Sequence, residues 1–115
     1  MTMNILRAVI RTLLLLSIFI LLVGSLAPTS HVGGPTVNDK LLHFVAYAMV
    51  GVLTVWAFQS RRLRLGFLLM LTVLGVALEF GQLFVPGRAF EVWDMIANSC
   101  GTLTALTTSR FFPTV

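Results

Sequence analysis

The sequence predicts an all-α polytopic membrane protein, a four-transmembrane-helix bundle with both termini cytoplasmic. Three observations predict it. Of 115 residues, 57% are hydrophobic. Only 10% are charged, against about 25% in an ordinary soluble domain. The charges also fall between long apolar stretches rather than among them. A soluble domain this small needs a polar shell larger than its core, because its surface-to-volume ratio is high. Twelve formal charges, eight basic and four acidic, do not supply one. Intrinsic disorder requires low hydrophobicity, and the mean hydropathy is +0.97.

Residues 12–38 and 41–60 carry no formal charge, residues 65–87 carry only Glu79, and residues 92–109 carry only Asp94. Crossing a hydrocarbon core of about 30 Å takes roughly 20 apolar residues. Helices are therefore expected at residues 5–27, 41–60, 65–85 and 92–112, forming a single transmembrane domain over residues 1–115. A membrane barrel would alternate polar and apolar residues, and these runs are continuous.

Breakers punctuate the helices in order. Ala27-Pro28-Thr29-Ser30 ends the first, and Gly33-Gly34-Pro35 continues the loop. Arg7 and Arg11 before an apolar core, with Ser25-Leu26-Ala27 after it, resemble a signal peptide. Pro28 would follow the cut directly and block it, so the helix is expected to be retained. Asn38 or Asp39 suits the cap of the second helix. Arg61-Arg62-Leu63-Arg64 reads as a basic turn before the third. Pro86-Gly87-Arg88 is a tight turn after it, and Pro113 closes the fourth.

Orientation follows from the positive-inside rule. With the N-terminus cytoplasmic, Arg7, Arg11, Arg61, Arg62, Arg64 and Arg110 lie inside, and only Lys40 and Arg88 lie outside. The acids Asp39, Glu79, Glu91 and Asp94 fall in the outer half. The net charge of +4 is thus an orientation signal. A nucleic-acid partner would need a basic face outside the membrane, and none is expected. The basic turn reads first as a stop signal and second as a contact for anionic lipid. Cys100 has no second cysteine to pair with. No metal-ligand spacing and no nucleotide-binding or nucleophile-elbow pattern occurs, so no metal or cofactor is expected.

Ionisable groups within a span are costly and mark candidate sites. His43, Tyr47 and Gly51 recur at steps of four and share a helix face. Glu79 shares a face with Gln82, and Asp94 shares one with Asn98. Ala97, Gly101 and Ala105 form a stripe of small residues that permits close helix approach. At 1.5 Å per residue, Tyr47, Glu79 and Asn98 each fall about 9 Å below the outer boundary, and His43, Gln82 and Asp94 about 3–5 Å below it. Three helices are thus expected to bring two polar layers together, with Lys40 and Arg88 at the mouth. Glu79 and Asp94 are the candidate acid–base groups. Lys40, His43, Tyr47, Gln82, Arg88 and Asn98 are the candidate ligand-binding residues. The bland readings are interhelical hydrogen-bond glue for Gln82 and Asn98, an ion pair for Asp94 and Arg88, and an interfacial belt for Trp56 and Trp93.

Asp39-Lys40-Leu41-Leu42-His43-Phe44 with Tyr47, Glu79-Phe80-Gly81-Gln82, Val85-Pro86-Gly87-Arg88, and Asp94 with Asn98 and Gly101 together resemble the VanZ-like family. The Ser25-Leu26-Ala27-Pro28 end of the first helix is also similar. The resemblance covers almost the whole chain. It implies a small bacterial four-helix protein of the plasma (inner) membrane, in a family whose namesake is linked to low-level teicoplanin resistance. Two functions are expected on these grounds. In one, a polar site facing the outer leaflet binds or modifies an amphiphile or envelope lipid, with Arg88, Lys40 and His43 on an anionic headgroup. In the other, the chain is a non-catalytic accessory subunit of a larger membrane complex.

Overall fold

The computed structural model describes residues 2–27, 37–88 and 90–111. They form α1 (Thr2–Leu26), α2 (Val37–Ala57), α3 (Arg61–Gly81) and α4 (Val92–Thr107). A 3-10 turn, Gln82–Phe84, extends α3, and a second, Thr108–Phe111, extends α4. No strand occurs among the described residues. The Gly33-Gly34-Pro35 loop, Pro113 and the side chains of Asn38 and Asp39 lie outside the described residues.

The helix boundaries around the basic segment differ from expectation. The second helix ends at Ala57 rather than at residue 60, and the third starts at Arg61 rather than at residue 65. Arg61-Arg62-Leu63-Arg64 is therefore the first turn of α3 and not a loop. Ser60 caps that turn, its Oγ accepting from the Leu63 amide at 3.4 Å, as N-cap serines do. The long arginine stems let the charge leave the helix axis, so a charge in sequence does not mark a break in the helix. At its start, α2 extends back through Asn38 and Asp39, which the expectation had placed as caps. Gly87, with φ of 79°, makes the expected turn after the third helix.

α1, Lys40–Ala57 and Arg61–Phe84 are each long and apolar enough to cross a membrane. The regular part of α4 has 16 residues, or about 24 Å at 1.5 Å per residue. Its C-terminal half is rich in threonine. Thr102, Thr104, Thr107 and Thr108 donate to carbonyls three or four residues back. Such back-bonding competes with the helix ladder, and α4 gives way to a 3-10 turn here.

Burial is inverted relative to a soluble protein. Leu15, Phe19, Ile20 and Leu69 are each more than 60% exposed. Thr54, Arg64, Glu79, Gln82, Asp94, Asn98 and Thr102 are buried. That is the arrangement expected when the outer surface meets lipid and helices associate through polar and small residues. A modest apolar core of Ile10, Leu14, Val50, Val55, Ala57, Leu68, Leu71 and Ala105 lies among the helices.

α2 and α4 make the most extensive contact. His43 meets Asn98, Tyr47 meets Gly101, and Gly51 meets Ala105. Both sequences advance together, so the two helices run parallel. Gly101 is what lets them meet. A Cβ there would stand 2.5 Å from Phe44 O and 2.9 Å from Ala48 N. Gly101 and Ala105 of the small-residue stripe seen in the sequence therefore lie at the seam of the fold. α1 packs on α2 and α3 and buries only Ile10 and Leu14.

Candidate functional site

The site lies at the end of the molecule where α2 and α4 both begin. Lys40 and His43 are one turn apart on α2, and Asp94 and Asn98 one turn apart on α4. Because the helices are parallel and close, these pairs face each other. Asp94 stands in the first turn of α4, where the exposed amide groups of a helix favour a carboxylate.

Lys40 Nζ lies 2.7 Å from Asp94 Oδ1 and also bonds to Glu91 Oε2. His43 Nε2 is 3.7 Å from Asp94 Oδ2, and its Nδ1 is 3.1 Å from Asn98 Oδ1. Both ring nitrogens thus face oxygen. The Asn98 oxygen is within hydrogen-bond reach, while the Asp94 oxygen stands at ion-pair distance. Side-chain exposure falls from 24% at Lys40 and 19% at Glu91 to 15% at His43 and 5% at Asp94. The cluster is a graded opening, partly exposed at Lys40 and Glu91 and closed at Asp94.

Glu79 reaches the cluster from α3. It is 1% exposed, and its Oε1 accepts a 2.6 Å hydrogen bond from the Glu91 amide. Glu91 is the N-cap residue of α4 and its side chain makes no capping bond. A carboxylate from another helix therefore takes up a backbone donor at the entry to α4. It leaves the Glu91 side chain to Lys40. Tyr47 lies one turn below His43, fully buried against Gly75 and Gly101. A Cβ on Gly75 would stand 3.1 Å from the Tyr47 ring and 3.3 Å from Asn98 Cβ, so glycine makes room for both.

Gln82 and Arg88 point elsewhere. Gln82 Nε2 donates to Ser25 O at 2.9 Å. Arg88 Nε donates to Ala27 O at 3.0 Å, and its Nη2 donates to Gly24 O at 2.6 Å. The final carbonyls of a helix have no intrahelical donor. These two side chains supply donors at the end of α1 and tie it to the turn after α3.

The structure thus brings together Lys40, His43, Asp94 and Asn98, with Glu79 joined through the Glu91 backbone and Tyr47 beneath. Gln82 and Arg88 are directed to α1 instead. Glu91 was the member missed in sequence. Its place one residue before α4, three before Asp94, is the signal that pointed to it. Among the described residues, no group of three or more His, Cys, Asp or Glu side chains is arranged to hold a metal ion.

No solved structure matches the chain. A curated relative, the uncharacterized protein C11E3.10 of Schizosaccharomyces pombe, is 33% identical over 76 residues. The alignment covers 61% of this chain and 45% of that relative, so the chain spans less than half its length. The VanZ/LLP1 family pattern matches residues 2–113. With a match of that extent, the chain belongs to the VanZ/LLP1 family.

Proposed function

We propose that the chain is a four-helix membrane protein that takes the headgroup of an envelope amphiphile into the cluster at the start of α2 and α4. In this reading residues 1–115 act as one transmembrane domain in the plasma membrane, the inner membrane of a bacterium. The arginine-bearing end faces the cytoplasm by the positive-inside rule, and the cluster opens to the outer leaflet.

The convergence of Lys40, His43, Glu91, Asp94 and Asn98 at a partly exposed opening carries the reading. Charge at membrane depth is costly, and the bundle seam is already closed by small residues and the apolar core. The charge balance favours a different headgroup from the anionic one expected from sequence. Glu91 and Asp94 stand against Lys40, while the Arg88 donors are engaged by carbonyls at the end of α1. An amine-bearing headgroup suits that balance, its ammonium competing with Lys40 for Glu91 and Asp94. Glu79 and Asp94 then act by position and charge, with no reaction required of them.

Native mass spectrometry of the protein released from its own membranes tests this. Retained phosphatidylethanolamine that is lost in Asp94→Asn, with retained phosphatidylglycerol unchanged by that substitution, supports it. Equal retention in wild type and Asp94→Asn contradicts it.

A second reading, an accessory subunit of a larger complex, is favoured by α1. That helix presents a shallow apolar groove formed by Ile5, Ala8, Val9, Thr12 and Leu13. A stoichiometric protein retained in mild detergent, with no retained lipid, supports this reading over the first.

A further inference from the structure

The six arginines other than Arg88 gather at the end of the molecule opposite the polar cluster, and their contacts divide them. Arg11 Nε donates to Ala57 O at 3.1 Å, with its guanidinium 5.4 Å from the centre of the Phe58 ring. Arg64 Nε donates to Phe58 O at 2.5 Å. The Gln59 amide oxygen, in the orientation that satisfies both partners, accepts from Arg7. Phe58 stacks on Phe67 with ring centroids 4.5 Å apart, which anchors the turn. These arginines close the C-terminal end of α2, where unsatisfied carbonyls carry partial negative charge.

Arg61 and Arg62 differ. Both are exposed and lie in the first turn of α3. An acid is the favoured residue in a first helical turn, and α3 has none there. The chain's acids, Asp39, Glu79, Glu91 and Asp94, all belong to the opposite end. Arg11 and Arg64 take up carbonyls at and just beyond the end of α2, and among the described residues no acidic side chain at this end answers the pair. Directly beyond them Leu63, Leu65 and Leu69 are exposed, so the pair stands where an apolar belt gives way to polar surface.

We infer that Arg61 and Arg62 form a docking patch for the phosphate of an anionic phospholipid in the leaflet at this end. A guanidinium binds phosphate through paired hydrogen bonds, and the neighbouring leucines meet the acyl chains. The inference is independent of the reading given to the polar cluster.

The test is lipid selectivity of the full chain reconstituted in phosphatidylcholine bilayers. Motional restriction of spin-labelled phosphatidylglycerol is compared with that of spin-labelled phosphatidylcholine. Wild type should prefer phosphatidylglycerol by roughly threefold or more at low salt, and the preference should shrink as salt rises. Arg61→Gln with Arg62→Gln should bring the ratio close to unity, and Arg61→Lys with Arg62→Lys should keep much of it. Neither pair should disturb folding, since both side chains are exposed, and the helical circular dichroism signal checks this. A wild-type ratio near unity overturns the inference, as does an unchanged ratio in the glutamine variant. Loss of the preference on adding inorganic phosphate at matched ionic strength shows that the patch takes free phosphate, and overturns the lipid assignment.

Discussion

Glu79 Oε1 accepts a 2.6 Å hydrogen bond from the backbone amide of Glu91, which joins the buried face of α3 to the entry of α4. That bond lets Glu91 and Asp94 meet Lys40.

Removing the acceptor should loosen the start of α4. Glu79→Ala leaves a buried amide without its partner, a loss of about 1–3 kcal/mol. Glu79→Gln keeps an oxygen at the same place and should lose less. Unfolding in mixed micelles measures both, and equal stability of Glu79→Ala and wild type contradicts the role assigned to Glu79.

The seam between α2 and α4 should be intolerant of a methyl group. Gly101→Ala puts a carbon 2.5 Å from Phe44 O, against backbone that has nowhere to move. Overpacking of this kind costs about 1–3 kcal/mol. Gly66→Ala is the control, because its Cβ meets nothing within 4 Å. It should be neutral or stabilising by up to about 1 kcal/mol through helix propensity.

Arg88→Ala should free the end of α1 and leave the polar cluster in place. The Ala27 amide donates to Val23 O at 2.9 Å and reports on the last turn. Its hydrogen exchange should quicken by about tenfold, the equivalent of roughly 1.4 kcal/mol for lost charge-assisted bonds. Amides of α2 and α4 should be unaffected. A general rise in exchange across all helices would mean that Arg88 supports the whole bundle.

Lys40 and Asp94 should be energetically coupled. A double-mutant cycle with Lys40→Met and Asp94→Asn should give a coupling energy of about 0.5–3 kcal/mol. The mouth is partly exposed, so a value in the lower half is expected. Additive losses would show that the ion pair contributes nothing beyond its separate parts.

Much of this was legible in the sequence, for identifiable reasons. Long uncharged runs report helices because lipid requires them, and steps of four report faces. Those rules placed His43, Asp94 and Asn98 in one site and Gly101 at a seam. The boundary between α2 and α3 was not legible, because arginine stems carry their charge away from the axis and Arg64 folds back onto Phe58 O. Nor were the partners of Gln82 and Arg88. Their acceptors are backbone carbonyls of Gly24, Ser25 and Ala27, and every residue has a carbonyl, so no residue type announces the bond. Spacing brought His43, Asp94 and Asn98 near one another, but His43 meets Asn98, which the expected depths had set one layer below it. It did not give the direction in which a long side chain turns.

Titration of a short-chain phosphatidylethanolamine into the purified protein in a neutral detergent tests the binding site most directly. Saturable binding in wild type, lost in Asp94→Asn, with binding of the matching phosphatidylglycerol unchanged by that substitution, is the predicted result. Phosphatidylglycerol binding that falls equally in Asp94→Asn, or undiminished phosphatidylethanolamine binding in an Asp94→Asn variant of unchanged stability, would contradict it.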